Sequence, residues 1–250
     1  MAKAIVFDIG SSFGYFRKGF TTTNALTHAV IPRSSVEGLI GAILGLSISE
    51  YPEKLQSSQI AVEILSQVRK INMKYMHINP DWWQNISVYL RNESNSRTIQ
   101  FAVPASVEFL VSPRYRIYFD NQDVGEELHR RLIAKRTHYT PFLGTSSMIS
   151  WIKYIGEFEY QEASSTEYFP VSSIVPFSKM PKMKLEKNSR FAIEDGLPIH
   201  IDNQRVLQGT YKIVYSPDPS TIIIMDKGLM ECQFRDMKKY VKFLPTQITS

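Results

Sequence analysis

Apolar and polar residues alternate over several stretches of the chain, and this pattern predicts a structure rich in strands. Residues 4–9 form a short apolar run that ends at a glycine, which is typical of a buried strand. Apolar positions alternate over 60–64 and, after a change of phase, over 71–75, which predicts one long strand with a bulge at the phase change. Alternation returns over 101–111 and 115–119, and we expect the two regions to pair as a long antiparallel ribbon.

Two other stretches carry the signals of helices. Ser34 followed three residues later by Glu37 forms a capping box, and the apolar residues after it predict a helix that ends near Leu46. Asp123 and Glu126 repeat the capping box, and a four-residue apolar repeat predicts a second helix after them.

The order of these elements indicates a fold class. With a further strand predicted over 152–160, where the apolar residues share one parity, the order is strand, helix, strand, strand, helix, strand. This order matches the split β-α-β-β-α-β unit, so we predict an α+β protein with a ferredoxin-like core over residues 1–165. Prolines and short apolar runs then predict a smaller β-rich subdomain over 166–250. The fold alone does not establish a function.

Composition narrows the class of protein without identifying a partner. The chain has 250 residues and a formal net charge of +5, which is compatible with an anionic partner. Its single cysteine, Cys232, excludes an internal disulfide framework, and we expect that side chain to be buried. The apolar run 39–46 is too short to span a membrane, and the N-terminus is a poor secretory signal, so we expect a cytoplasmic protein.

The segment 10–32 has no sustained period, and we predict a long loop there that carries side chains suited to nucleic acid. Its basic, amide and hydroxyl groups are donors for phosphates, and Arg33 stands ahead of a helix N-terminus, which also favours anions. The rings of Tyr15, Phe16 and Phe20 could stack on bases. Threonines are common in loops, however, so an ordinary loop remains the alternative. The candidate RNA-binding residues here are Tyr15, Phe16, Arg17, Lys18, Thr21, Thr22, Thr23, Asn24, Thr27 and Arg33.

A second candidate loop, HYTPFLGTSS, covers residues 138–147 and follows the basic end of the second helix. Its glycine could expose backbone amides to a phosphate, although an ordinary helix-to-strand turn explains it equally well. The candidate residues here are Lys135, Arg136, His138, Gly144, Thr145 and Ser146.

Three glycines lie along one side of the first predicted helix. Gly38, Gly41 and Gly45 recur at helical spacing, and each costs roughly 1 kcal/mol relative to alanine, so close packing must compensate. We favour packing against the rest of the protein over the alternative, a smooth seat for a nucleic-acid backbone or a partner subunit.

Residues suited to catalysis are few. The five histidines are scattered without metal-ligand spacing, so we expect no metal and no cofactor. A metal-independent ribonuclease needs a base and a cation near one phosphate, and His138 with Lys135 and Tyr139 is the one local candidate. Histidines in basic loops usually bind or pack without catalysing.

Taken together, FRKGFTTTNALTHAVIPRSSVEGLIGAILGL from Phe16 and HYTPFLGTSS from His138 resemble the signature regions of the CRISPR-associated Cas five family, in a form most similar to subtype I-B. The resemblance implies a ferredoxin-like core of the RAMP type, akin to RRM domains, with a β-hairpin thumb at about residues 66–111. It also implies a subunit that caps one end of the type I Cascade complex, holds the 5′ handle of the CRISPR RNA and contacts the large subunit and the first backbone subunit. The candidate handle contacts are then Arg17, Lys18, Thr21, Thr22, Thr23, Arg33 and the loop around Gly144.

The same resemblance raises an enzymatic alternative. In subtype I-C, members of the family cut precursor RNA with a tyrosine, a lysine and a neighbouring histidine. Here Lys135 and His138 are separated by two residues, so no catalytic role is carried over. We therefore expect a non-catalytic RNA-binding subunit that meets target DNA only within the assembled complex. An endoribonuclease and a protein scaffold without RNA contact remain the alternatives.

Overall fold

The computed structural model describes residues 2–21, 24–78, 102–184, 190–234 and 236–247, and over these ranges the protein is rich in strands with three helices. A mixed, sheet-rich α+β fold is therefore confirmed. The described elements, in chain order, are β1 (Ala2–Gly10), β2 (Phe13–Gly14), β3 (Asn24–Ala25), α1 (Arg33–Leu44), α2 (Tyr51–Leu55), β4 (Gln59–Ile64), β5 (Lys70–Ile78), β6 (Ala102–Val111), β7 (Arg114–Asp120), α3 (Gly125–Ile133), β8 (Trp151–Glu162), β9 (Phe169–Val171), β10 (Val175–Phe177), β11 (Lys182–Lys184), β12 (Ala192–Pro198), β13 (Thr210–Tyr215), β14 (Ile222–Met225), β15 (Leu229–Phe234) and β16 (Met237–Lys242).

The largest sheet has nine strands in the order β11-β14-β9-β16-β15-β8-β1-β7-β4. Four of them, β8, β1, β7 and β4, are antiparallel neighbours, and α1 and α3 connect them in the chain order β1, α1, β4, β7, α3, β8. None of the helices in the described ranges has the length and apolar character needed to cross a membrane.

Both faces of this sheet are packed. Alternation along β1 sends Ile5, Phe7 and Ile9 to a core shared with α1 and α3. Ala4 and Val6 face a second cluster on the opposite side, which includes the fully buried thiol of Cys232. Burial raises the pKa of this thiol to about 12, and the prediction of a buried Cys232 is confirmed.

Neither predicted capping box forms. Helix α1 begins at Arg33 after Pro32 without a side-chain cap, because the carboxylate of Glu37 turns inward to Arg33 and His200. At α3 the turn that leads into the helix is held instead by Asn121, whose Oδ1 accepts from the amides of residues 123 and 124 and whose carbonyl accepts the amide of Gly125. The predicted end of α1 is close, since the chain leaves the helix at Gly45 with φ +75°.

The prediction of one long strand over 60–75 is wrong. The chain leaves the nine-stranded sheet after β4, where the Val68 amide donates to the carbonyl of Pro217, and β5 begins in another sheet. The partner strands divide at the same place, because Ser112, with φ +48°, separates β6 from β7. The expected antiparallel ribbon therefore exists as two pairs, β4 with β7 and β5 with β6. Residues 79–101, at the centre of the predicted thumb, lie outside the described ranges.

The apolar residues of β8 do not share one face, contrary to the single parity expected over 152–160. The register against β1 shifts between Val6 and Phe7, which marks a β-bulge in β8 near Gly156. Ile152 and Tyr154 consequently pack on the helix-side core, whereas the residues after the bulge pack in the cluster around Cys232.

The C-terminal strands continue the large sheet. Strand β15 pairs with β8 and β16 pairs with β15, while β10, β13 and β12 form a separate three-stranded sheet. After β16 the chain returns to β4, where the amide of Leu244 donates to the Ile60 carbonyl. The domain boundary at residue 165 stays a prediction.

Candidate nucleic-acid interface

The segment expected to be a long loop contains a β-hairpin formed by residues 16–18 and 26–28, which we call the 16–28 hairpin. The His28 amide donates to the Phe16 carbonyl at 2.8 Å, and the Lys18 amide donates to the Leu26 carbonyl at 2.9 Å. Strand β2 precedes the first arm of the hairpin and β3 directly precedes the second arm, and both strands pair with β6. The sequence shows no period here because each paired arm of the hairpin is only three residues long.

Three of the predicted contacts in this segment are buried, so their side chains do not face a ligand. Phe16 is 3% exposed, and Thr27 and Arg33 are fully buried. The Thr27 hydroxyl accepts the Phe16 amide at 2.9 Å and thereby holds the two arms of the hairpin together. The prediction that these residues contact RNA directly is not supported by their positions.

Arg33 lies in a buried ionic network. Its Nε is 3.0 Å from Glu37 Oε1, in an ion pair without hydrogen-bond alignment, and its Nη2 donates to the carbonyls of Gln56 and Ser58. The imidazole Nδ1 of His200 is 2.8 Å from the other oxygen of Glu37. Burial lowers the pKa of the Arg33 guanidinium, although Glu37 acts in the opposite direction. The charge of Arg33 is therefore used inside the protein.

The ammonium of Lys18 is also paired. It lies 2.7 Å from Glu194 Oε1, and the same carboxylate contacts His28 at 3.1 Å and accepts the amide of Ala29. Burial disfavours the ionised form of Glu194, but the hydrogen bonds from His28, Lys18 and this amide prevail and lower its pKa to about 2. No local sequence pattern predicts this pair, because Glu194 lies far along the chain on β12.

The remaining candidates of the hairpin are on the surface. Arg17 and Asn24 are exposed, and one Arg17 nitrogen donates to the Thr21 carbonyl while the others face solvent. Thr21 uses its hydroxyl in the turn, where it donates to the Lys18 carbonyl at 2.8 Å. Phe20 is 72% exposed at the tip. Thr22 and Thr23 lie outside the described residues.

The second predicted loop packs directly against the first. In the 138–150 loop, the carbonyl of Leu143 accepts the Tyr15 amide at 3.0 Å. Gly144 follows with φ +101°, and a Cβ on this residue would lie 1.7 Å from the Tyr15 carbonyl oxygen. Only glycine permits this approach. Thr145, Ser146 and Ser147 form the turn beside the junction, where the Thr145 and Ser147 hydroxyls are 3.1 Å apart.

The start of the 138–150 loop is anchored on the glycine side of α1. The amides of His138 and Tyr139 donate to carbonyls in the last turn of the helix. A Cβ on Gly45 would lie 2.5 Å from the His138 ring, and one on Gly41 would lie 2.9 Å from Tyr51. Gly38 has open space around it. The packing interpretation is confirmed for Gly41 and Gly45.

The basic residues at the end of α3 lie apart from the Tyr15–Gly144 junction. Lys135 and Arg136 are exposed and line a cleft of about 210 Å³ with Arg131 and Ser150. The exposed His138 ring makes an edge contact with Tyr139, with centroids 4.6 Å apart. Within the described ranges, no cluster of three or more acidic, histidine or cysteine side chains is arranged to hold a metal ion.

An apolar cleft opens where the β5–β6 ribbon meets the 138–150 loop. It has a volume of about 450 Å³, and its walls include Phe13, Met73, Phe109 and Ile149. Tyr15 adjoins it, since its ring centroid is 5.6 Å from that of Phe109. This combination of aromatic walls with exposed cationic and hydroxyl groups is suited to binding a single-stranded nucleic acid.

Comparison with known families and structures gives one family match and one shared fold. A family model described as CRISPR-associated protein (Cas_Cas5) matches residues 4–210. A CRISPR protein from Archaeoglobus fulgidus has a similar crystal structure, with a TM-score of 0.51 and 10% identity over 96% of this chain and 97% of that chain, which shows a shared fold. A chain of a CRISPR RNA-guided surveillance complex gives a TM-score of 0.49 at 10% identity over 88% and 91% of the two chains, a level that does not establish a common fold. No curated protein sequence matches.

Proposed function

Because the chain belongs to the CRISPR-associated protein family (Cas_Cas5), we propose that it is the non-catalytic subunit of a type I Cascade complex that holds the 5′ handle of the CRISPR RNA. The observation that carries this proposal is the contact between Tyr15, directly before the 16–28 hairpin, and the 138–150 loop. Two segments far apart in sequence, each rich in phosphate-binding groups, meet at Tyr15 and Gly144 beside an aromatic cleft.

The rest of the fold is assigned within the same proposal. Strands β8, β1, β7 and β4 with helices α1 and α3 form its ferredoxin-like core, and the β5–β6 ribbon begins its thumb. The RNA passes over the exposed side of the hairpin, where Arg17 and Asn24 contact phosphates and Phe20 stacks on a base. Lys18 contributes less, because Glu194 neutralises it. The buried Arg33 supports the helix that anchors the second loop.

The partners follow from the family. The subunit would contact the first backbone subunit and the large subunit of the complex in the cytoplasm, and target DNA only after assembly. The proposal includes the subtype, which is I-B or a close relative of it.

The test compares two variants that each remove one positive charge. Labelled CRISPR-repeat RNA is titrated with the full chain in EDTA at several salt concentrations. Arg17→Ala should weaken binding about tenfold, the worth of one charge-assisted hydrogen bond, and should flatten the salt dependence. Lys3→Ala should change little, since Lys3 lies at the far end of β1 from the hairpin. Equal affinities for both variants would contradict the proposed site.

The same titration distinguishes the alternatives. An endoribonuclease would cleave the RNA at one position and lose this activity in His138→Ala, whose ring is exposed beside Tyr139. A pure scaffold would show no salt-sensitive retention of RNA at all.

A further inference from the structure

A second surface with nucleic-acid chemistry lies on the face of the large sheet that is opposite to α1 and α3. Near the C-terminal end of β1, Gly10 pairs with residues on both neighbouring strands, and so does Asp8 two residues earlier. Directly paired residues of antiparallel strands point to the same face. Across β7, β1 and β8 this face therefore carries two rows of residues. The first row is Arg114, Gly10 and Trp151, and the second is Arg116, Asp8 and Lys153.

The indole of Trp151 packs closely against Gly10. A Cβ on Gly10 would lie 2.4 Å from Cζ2 and 2.7 Å from Cε2 of this ring, so the glycine leaves the space that the indole occupies. Trp151 is nevertheless 45% exposed. The ring is thus held against the sheet at Gly10, while nearly half of the residue's surface stays accessible to a ligand.

The charges on this face are not balanced. Arg116 donates to both carboxylate oxygens of Asp8, at 2.7 and 3.0 Å, so these two charges neutralise each other. Arg114 and Lys153 are exposed, and neither forms an ion pair with any residue in the described ranges. Both cations lie near Trp151. Arg114 is two strands away in the sheet, at roughly 10 Å, and Lys153 is two residues further along β8.

We propose that Trp151, Arg114 and Lys153, named here the Trp151 platform, form a second binding site for single-stranded nucleic acid. A base stacks on the open side of the indole, and the two cations hold neighbouring phosphates. Stacking on an aromatic ring accepts every base, so this site does not read sequence. The proposal goes beyond the handle site, because it requires no repeat sequence.

The platform also continues the aromatic cleft. Ser11, which follows Gly10, donates its hydroxyl to the carbonyl of Ile149, and both residues line the cleft. A strand leaving the cleft along this edge would meet Trp151 next. Because these cations have no ion-pair partner among the described residues, they favour a polyanion over the alternative occupant, an apolar surface of a partner protein.

The test uses a homopolymer that contains no handle sequence. A labelled twelve-residue oligouridylate is titrated with the full chain, and affinity is followed by anisotropy while intrinsic tryptophan fluorescence is recorded. Trp151→Leu should weaken binding about tenfold or more, whereas Trp151→Phe, which keeps an aromatic face, should recover most of the affinity. Fluorescence quenching seen in the wild type should be reduced in Trp151→Phe.

A charge variant tests the same site without disturbing the sheet. Arg114→Gln with Lys153→Gln should lower the slope of log affinity against log salt by about 1.4, the value for two lost single-strand phosphate contacts. Lys3→Gln, which alters an exposed lysine at the other end of β1, is the matched control and should leave the slope unchanged.

The outcomes separate this proposal from the handle site. Arg17→Ala should weaken repeat RNA more than oligouridylate, and Trp151→Leu should weaken both. No binding of oligouridylate by the wild type, or equal binding by Trp151→Leu, would overturn the platform even if repeat RNA is still retained. If Trp151→Leu loses a Cascade subunit in pull-down while its oligouridylate affinity is unchanged, the surface is a protein interface and the proposal fails.

Discussion

Substitution of Gly144 by alanine tests whether the two candidate loops depend on each other. In the native chain this residue has φ +101°, and its Cα faces the carbonyl oxygen of Tyr15. Alanine adds one methyl group at a place where no side chain fits. The change leaves every charged and aromatic candidate contact in place, so it disturbs the geometry of the site without removing its chemistry.

The expected loss of stability follows from two distances and one dihedral angle. The new Cβ would lie 1.7 Å from the Tyr15 carbonyl oxygen, so the two backbones must separate by roughly 1.5 Å to reach ordinary contact. That separation breaks the 3.0 Å hydrogen bond from the Tyr15 amide to Leu143, worth about 1 kcal/mol. The left-handed φ adds about 1–2 kcal/mol. The free energy of unfolding should therefore fall by about 2–3 kcal/mol.

Urea unfolding followed by circular dichroism measures this change, and RNA titration of the same sample measures its effect on the site. Gly38→Ala is the matched control, because nothing lies within 4 Å of a Cβ there and the residue is inside α1. This control should raise the free energy of unfolding by about 0.5–1 kcal/mol. If Gly144→Ala is as stable as the wild type, or is destabilised but binds repeat RNA with full affinity, the reasoning about loop docking is wrong.

Three further predictions concern buried groups. Arg33→Met should lower the free energy of unfolding by about 3–5 kcal/mol, because it leaves the Glu37 carboxylate without the guanidinium that pairs with it. Adding Glu37→Leu should recover part of this loss, and additive costs of the two substitutions in urea unfolding would contradict the network. The pKa of Glu194 is lowered from 4.5 to about 2, so its ionised form adds about 3 kcal/mol to the free energy of unfolding. This contribution is complete above pH 4.5 and is lost as the pH falls towards 2. The stability difference between wild type and Glu194→Gln should accordingly shrink from pH 6 to pH 3, and a constant difference would refute the pairing. Cys232, with its pKa raised to about 12, should react with a thiol reagent only after unfolding, so rapid labelling of the native chain would be inconsistent with its burial.

Local patterns in the sequence predicted many of the elements well. The alternation around 60–64 and 115–119 located β4 and β7, and the four-residue apolar repeat located α3. These signals succeed because the apolar residues that alternate along each strand, or recur every four residues along the helix, all pack in the same core. The end of α1 was also predictable, because Gly45 supplies the left-handed residue that commonly terminates a helix.

The sequence could not reveal which charges are free. Arg17, Lys18 and Arg33 look alike in a basic, threonine-rich segment, yet only Arg17 keeps donors at the surface. The other two are neutralised by carboxylates, and Glu194 comes from a strand more than a hundred residues away. Tertiary pairing of this kind has no local sequence signal.

The register of β8 and the close approach of Tyr15 to Gly144 likewise could not be predicted from the sequence. The bulge in β8 reverses the facing of Ile152 relative to Phe158, although the two share one parity in the sequence. Gly144 was recognised as part of a candidate loop, but only the structure shows that the Tyr15 carbonyl occupies the space a side chain would need.

The central claim is that this chain holds CRISPR RNA without cutting it. The most direct measurement incubates the purified full chain with end-labelled CRISPR-repeat RNA in EDTA, and follows retention and fragment length together over a range of salt concentrations. The account predicts that intact RNA is retained and that affinity falls steeply as salt rises. Cleavage at a single position, or no retention even at low salt, would contradict it.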